Sequence, residues 1–181
     1  MTTAGPNYPS NSSNVSDSGD GAWSSPSIVY ADDATYATGF QDGSAAGKTD
    51  RLKNLGFGFA IPSGATIDGI TVEIDRKTSG GSNSSDLLVQ LYKAGTLVGS
   101  NKASATAYTT SDVTATYGGT SDLWGTTWTD ADINDAAFGV CFQSEQTNSV
   151  GRTVSVDFVR ITVTYSGGST FVSYPNFFQI L

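Results

Sequence analysis

At 181 residues and 18.8 kDa the chain is long enough for one domain with a real core and too short to be comfortably two. Only 14% of residues are charged and 38% hydrophobic, with 21 glycines, so hydroxyls, amides and glycine backbone must cover the surface, a composition that favours strands and turns over helices. Nine basic against seventeen acidic side chains leave a formal charge of -8 and no Lys/Arg cluster, which argues against nucleic acid and anionic membranes as partners; a chain without histidine also lacks the commonest general base and zinc ligand.

Residues 1–22 read as an extended N-terminal arm of Asn, Ser, Pro and Asp, too polar to bury the surface that ordering requires. Such an arm is expected to lie across a neighbour or to fray. It has no apolar stretch of leader type and no later segment is long and apolar enough to span a bilayer, so the expected product is soluble and unprocessed. From Trp23 to Tyr165 the dominant signal is period-two alternation bounded by turn residues, which predicts one all-β domain over 23–165, a two-sheet antiparallel β-sandwich. Leu55, Phe57, Phe59 and Ile61 share one parity against Gly56, Gly58 and Ala60, predicting a strand with something packed closely on its bare face. Ile70, Val72 and Ile74 alternate with Thr71, Glu73 and Asp75 as a half-buried strand. Leu87, Val89 and Leu91 resume the pattern after the 79–85 loop, and Lys93-Ala94-Gly95-Thr96 predicts a hairpin into Leu97-Val98.

Thr129 before Asp130 and Asp132 predicts one capped helical turn through Asp135, with Trp124 and Trp128 as anchors of a crossover between sheets. In the last long run Val154, Val156 and Phe158 occupy even positions whereas Val159, Ile161, Val163 and Tyr165 occupy odd ones. The phase flip predicts a β-bulge, or burial on both faces, in a central strand. Residues 166–181 read as a linker and an apolar C-terminal docking tail, in which Phe171, Val172, Tyr174, Phe177, Phe178, Ile180 and Leu181 are candidate partner-docking residues. They either fold back as a strand on their own sandwich or insert into a partner.

Candidate chemistry is thin. Asp130, Asp132 and Asp135 form a D-x-D-x-x-D string, but an EF-hand spacing is missing and helix capping explains the first two, so no metal is expected. Asp32, Asp33 and Asp157 would make a glycosidase pair only if folding set two of them at a suitable separation. No serine lies in Gly-x-Ser-x-Gly and no glycine-rich phosphate loop exists, so neither a nucleophile nor a nucleotide cofactor is indicated. The single Cys141, inside the apolar run 138–142, is expected to pack as a small hydrophobe, and one cysteine excludes an internal disulfide. Trp23, Trp124, Trp128, Tyr92 and Tyr117 are large enough to stack on sugar rings, Trp124 and Trp128 being the candidate glycan-stacking pair, although burial is the commoner fate of such residues.

Four stretches carry a resemblance: 22–26 with 34–38, 56–70, 117–129 running on to 138–140, and 156–165. In that order they resemble a β-sandwich module of tailed-phage virion proteins and prophage regions, spanning about Trp23 to Tyr165 and neither terminus. The resemblance implies a jelly-roll-like sandwich, a non-enzymatic role in the virion, and a place on a capsid, neck, tail or fibre. It brings no catalytic residues. The short length and the lack of repeats point to a capsid decoration or cement protein, attached through its two terminal segments to the major capsid protein or another virion protein and forming a homo-oligomer such as a trimer. The alternative is a carbohydrate-binding or receptor-binding module of a tail or fibre.

Overall fold

The computed structural model describes residues 1–17, 21–43, 47–81 and 83–168. Eleven strands are present among them: β1 (Thr2–Asn7), β2 (Asn11–Val15), β3 (Trp23–Ser24), β4 (Ala37–Gln41), β5 (Arg51–Leu55), β6 (Ala65–Thr78), β7 (Ser84–Lys93), β8 (Thr96–Val98), β9 (Val113–Gly119), β10 (Gly139–Gln146) and β11 (Arg152–Gly167). A 3-10 turn covers Pro26–Tyr30, and the one α-helix among the described residues, α1, covers Asp130–Asn134. The strands form two antiparallel sheets, β3-β4-β11-β6-β9 with β1 also on β11, and β2-β5-β10-β7-β8. The pairs β4/β11, β5/β10, β6/β9 and β7/β8 are all present, so the chain from β4 to β11 is one long hairpin rolled around itself. That is a jelly roll, in which each successive connection except the β7–β8 hairpin carries the chain to the other sheet.

The β7–β8 hairpin closes at the expected turn, with Lys93 opposite Thr96. α1 also starts where its sequence places it. Thr129 accepts from the Asp132 amide while the Asp132 carboxylate accepts from the Thr129 amide, a reciprocal capping box. The phase flip in the last strand is a bulge. Val156 lies opposite Arg76 and Val159 opposite Ile74, one residue more on β11 than on β6, and Asp157, Phe158 and Val159 are all buried around it. With β4 and β1 on one side and β6 on the other, β11 is the central strand.

Two expectations are corrected. The residues after Leu55 are not a strand: Gly56 and Gly58 sit at φ of +72° and +64°, which L-residues avoid, so the ladder ends there. Phe57, Phe59 and Ile61 still point inward, Phe57 stacking on Phe59, both meeting Phe138 edge-on and Phe138 meeting Trp128 in an aromatic end of the core, but nothing lies within 4 Å of a side chain built on Gly58, and Ala60 is exposed. The bare face thus meets solvent except where Ser10 approaches Gly56.

The N-terminal segment is extended, as expected, but it is no free arm. β1 pairs with Ile161–Tyr165 of β11 and β2 with the whole of β5, so each sheet takes a strand from it. Its polar side chains find fixed partners: Asn7 donates to the Phe57 carbonyl, Ser12 to Asn54, and Asn14 to Asp50. The low hydrophobicity of the segment is offset by ladder and side-chain hydrogen bonds at sheet edges, where one face can stay wet.

The opposite end of the core is polar. Gln41 donates to Ser144 and accepts from Ser84, tying β4 of one sheet to β10 and β7 of the other, and Gln146 donates to the Gln41 and Asp42 carbonyls.

Candidate functional site at the open edge of the sandwich

After β8 the chain runs irregularly along β7. Lys102 donates its amide to Val89, Asp86 donates its own to Ser104, and Tyr108 to Ser84, so residues 101–108 extend the second sheet without becoming a regular strand. β9 is the terminal strand of the first sheet. Between these two margins the sandwich stays open as a groove of about 400 Å³. Val113, Ala115 and Tyr117 line it from β9, Ala107 and Tyr108 from across, and Arg76 from below.

Its floor is a buried polar cluster that crosses the sandwich. Arg76 of β6 donates through Nε to Asp86 of β7 at 3.1 Å, and both side chains are almost inaccessible. The same Asp86 oxygen accepts from the Tyr108 hydroxyl at 2.7 Å; the other accepts from the Tyr117 hydroxyl at 2.8 Å and the Ser104 amide at 3.0 Å. The guanidinium lies 4.2 Å from the Tyr108 ring centroid. Burial, then the neighbouring Asp86 charge, pushes both tyrosines well above the ordinary phenol value, so they donate and do not ionise. Burial opposes the Arg76 charge, but Tyr117, Asp86 and Tyr108 together hold it above its ordinary value. With four donors on its two oxygens, Asp86 is a strut between sheets and has no acceptor position left over to activate a water.

The residues singled out from sequence fall mostly elsewhere. Trp124 is completely buried and donates through Nε1 to the Ile70 carbonyl; Trp128 is 7% exposed, donates to the Leu123 carbonyl and packs edge-on against Phe138. Neither offers a ring face to a ligand, which overturns the stacking expectation for this pair and leaves them as crossover anchors. Trp23, Tyr92 and Tyr117 are buried too. Asp33 and Asp157 are brought together, but through backbone: the Asp33 and Ala34 amides donate to the two Asp157 oxygens at 3.4 and 3.3 Å. Burial raises the Asp157 pKa, the two amides oppose the rise, and Asp32 and Asp75 add to it. Asp132 is held below its ordinary range: partial burial opposes this, but Lys93 and the Thr129 amide and hydroxyl outweigh it. Among the described residues no three His, Cys, Asp or Glu side chains are placed to hold a metal. Cys141 sits with Leu55 and Tyr92, and burial pushes its thiol up to about 11, so it is unreactive at neutral pH. The docking residues Phe171, Val172, Tyr174, Phe177, Phe178, Ile180 and Leu181 lie outside the described residues.

The groove cluster was not anticipated, yet the sequence carries a signal for it. Ser84 and Asp86 are buried on even positions whereas Val89 and Leu91 are buried on odd ones, and the β7–β10 register shifts between them. This is the same kind of phase flip that marks the β11 bulge, hidden because the even positions are polar.

No family model matches the sequence, and no curated protein matches it. Among solved structures the chain is similar to one described as "CBM4 structure and function", at 13% identity over 79% of this chain and 89% of that one, with a TM-score of 0.39. It is also similar to the N-terminal cellulose-binding domain of Cellulomonas fimi β-1,4-glucanase C, at 12% identity over 83% and 85%, again with a TM-score of 0.39. The β-sandwich assignment rests on the two sheets themselves.

Proposed function

We propose that the chain is a non-enzymatic structural module of a tailed-phage virion, a capsid decoration or cement protein held to the particle through its C-terminal segment. The observation that carries the passive part of this reading is the saturation of the groove floor. The one acid there, Asp86, is committed to four hydrogen bonds between the sheets, leaving a rigid, inert surface. The virion part is supported by the resemblance over 23–165, whose stretches fall on successive parts of the jelly roll, and by the apolar segment that follows β11. Multivalent display on a lattice multiplies weak single contacts.

The test is to purify particles from a culture that carries the gene, and to look for the chain by mass spectrometry and by immunogold labelling. Stoichiometric presence on the shell is expected; absence from particles of a culture that expresses the chain would overturn the reading. A carbohydrate-binding module is the second reading, favoured by the hydroxyls of Ser104, Thr106, Thr109 and Thr116 along the groove. Glycan-array binding abolished by Thr116→Lys in a normally folded protein would promote it over the first.

A further inference from the structure

We infer that the free edge of β9 and the groove beside it receive residues 176–181 of a second copy of this chain as an added strand, an attachment between copies that goes beyond the virion reading, does not require it, and leaves Phe171, Val172 and Tyr174 of the C-terminal segment for docking on the particle.

β9 is an unprotected edge. Its seven residues, Val-Thr-Ala-Thr-Tyr-Gly-Gly, include no proline and no charge, and among the described residues it pairs on one side only, with β6. Natural sheets usually blunt such an edge with charge, proline, bulges or brevity. The other margins show those devices. β1 contains Pro6 and a register shift, β3 and β8 are two and three residues long, and in β2 the Ser12 amide is taken by the Tyr30 hydroxyl. Beside β9 the groove exposes an apolar wall, with Val113 44% accessible among the described residues. An added strand would satisfy the backbone edge and send alternate side chains into that wall.

The chain carries a segment of matching chemistry. Asn176-Phe177-Phe178-Gln179-Ile180-Leu181 has no charged side chain, is β-prone and about as long as β9, and either parity, Phe177 with Leu181 or Phe178 with Ile180, offers large apolar side chains to the groove. Pro175 sits just before it, where a missing donor does no harm.

Reach decides between the same chain and another. Gly168, the last described residue, packs beside Pro62 and Ala65 at the start of β6, whereas the near end of β9 lies opposite Ile70. Five residues along β6 and three strand spacings across give a straight line of roughly 22 Å. The eight steps from Gly168 to Asn176 span about 28 Å fully extended. That line is obstructed: the backbone of Gly119, Thr120 and Ser121 packs on Gly69, and the Asp122 carbonyl accepts from the Ile70 amide at 3.0 Å. Insertion into its own groove would need a nearly fully extended tether that also passes this segment with only about 6 Å to spare, a restriction that a neighbour's tail does not meet, so the strand is assigned to a neighbour. The contact is then heterologous and propagates or closes into a ring.

Two variants, each with half of the contact, test this. Truncation after Gly168 keeps the groove and loses the strand; Val113→Asp keeps the strand and places a charge at an exposed groove position. In sedimentation velocity over a concentration series the full chain should self-associate, each variant alone should be monomeric with an unchanged circular dichroism spectrum, and an equimolar mixture should recover a species that stops at two chains. A full chain that stays monomeric at 100-fold the concentration of the assay's lower limit, or a mixture that fails to pair, would overturn the inference. Association that survives in the truncated chain would do the same. Particle labelling is read independently, so failure here leaves the virion proposal standing or falling on its own result.

Discussion

Asp86 ties the two sheets together, because one side chain from the second sheet fixes Arg76 and Tyr117 of the first and Tyr108 of the irregular edge. Replacing both ends of a buried ion pair by apolar groups is often tolerated, whereas removing one end strands a charge. Asp86→Ala is therefore expected to cost about 3–5 kcal/mol, and Tyr108→Phe or Tyr117→Phe, each removing one hydrogen bond to a charged group, about 1.5–3 kcal/mol. Urea unfolding ranks them; an Asp86→Ala protein no less stable than Tyr117→Phe would show that the cluster is not a strut. Asp157 gives the opposite kind of dependence. Its folded pKa lies above the ordinary carboxylate value, so the native state holds a proton that the unfolded chain has already released. Its contribution is present at pH below the unfolded value and is lost as pH rises through the window up to the raised one. Asp157→Asn removes this slope, so the melting temperature of the variant minus that of the parent should grow more positive between about pH 4 and pH 7. A difference that is flat or falls would contradict the assigned direction.

At the scale of elements, close approach matters more than backbone preference. Gly58 and Gly118 both have positive φ, but a side chain on Gly58 would meet open space, whereas one on Gly118 would sit 2.3 Å from the Ile70 carbonyl and 2.5 Å from Trp124 Nε1. Gly58→Ala is expected to cost about 1–2 kcal/mol, and Gly118→Ala roughly 1–3 kcal/mol beyond that, because it pushes on the hydrogen bond that anchors the crossover. Equal melting temperatures for the two variants would refute the distinction. The same contrast explains what was legible in the sequence. Period, turn and cap signals are local, and they marked the β7–β8 hairpin, the α1 capping box and the β11 bulge correctly. Burial parity was also right at Phe57, Phe59 and Ile61 while the strand assignment was wrong, since alternation reports which side chains go inward and not whether a ladder partner exists. The groove cluster was hidden because its members are spread along the chain from Arg76 to Tyr117 and are polar where the pattern sought apolar residues. Trp124 and Trp128 misled in the reverse sense: an indole reads equally as ligand platform or core until its N–H partner is known.

For the whole molecule the two ends of the chain differ in kind, although both looked like attachments by composition. The N-terminal segment contributes a strand to each sheet, pairs with the central strand β11 and positions Tyr8 edge-on against Phe158 beside the bulge. Deleting residues 1–16 would expose β5 as a raw edge and uncover the C-terminal half of β11, two losses the remaining jelly roll has no element to replace. The C-terminal segment begins after the last ladder pair, Gly167 with Ala65, so every described pairing of β11 survives its removal. Deletion of 1–16 is accordingly expected to give an insoluble or unfolded product, and deletion of 169–181 a protein whose melting temperature stays within about 2 °C of the parent, the shift that accompanies changes below about 0.5 kcal/mol in a domain of this size. If instead the C-terminal deletion lowers the melting temperature at a concentration where the parent is monomeric, the segment belongs to its own sandwich. Adhesion by the tail would then have to be given up in favour of a surface formed by the sheets.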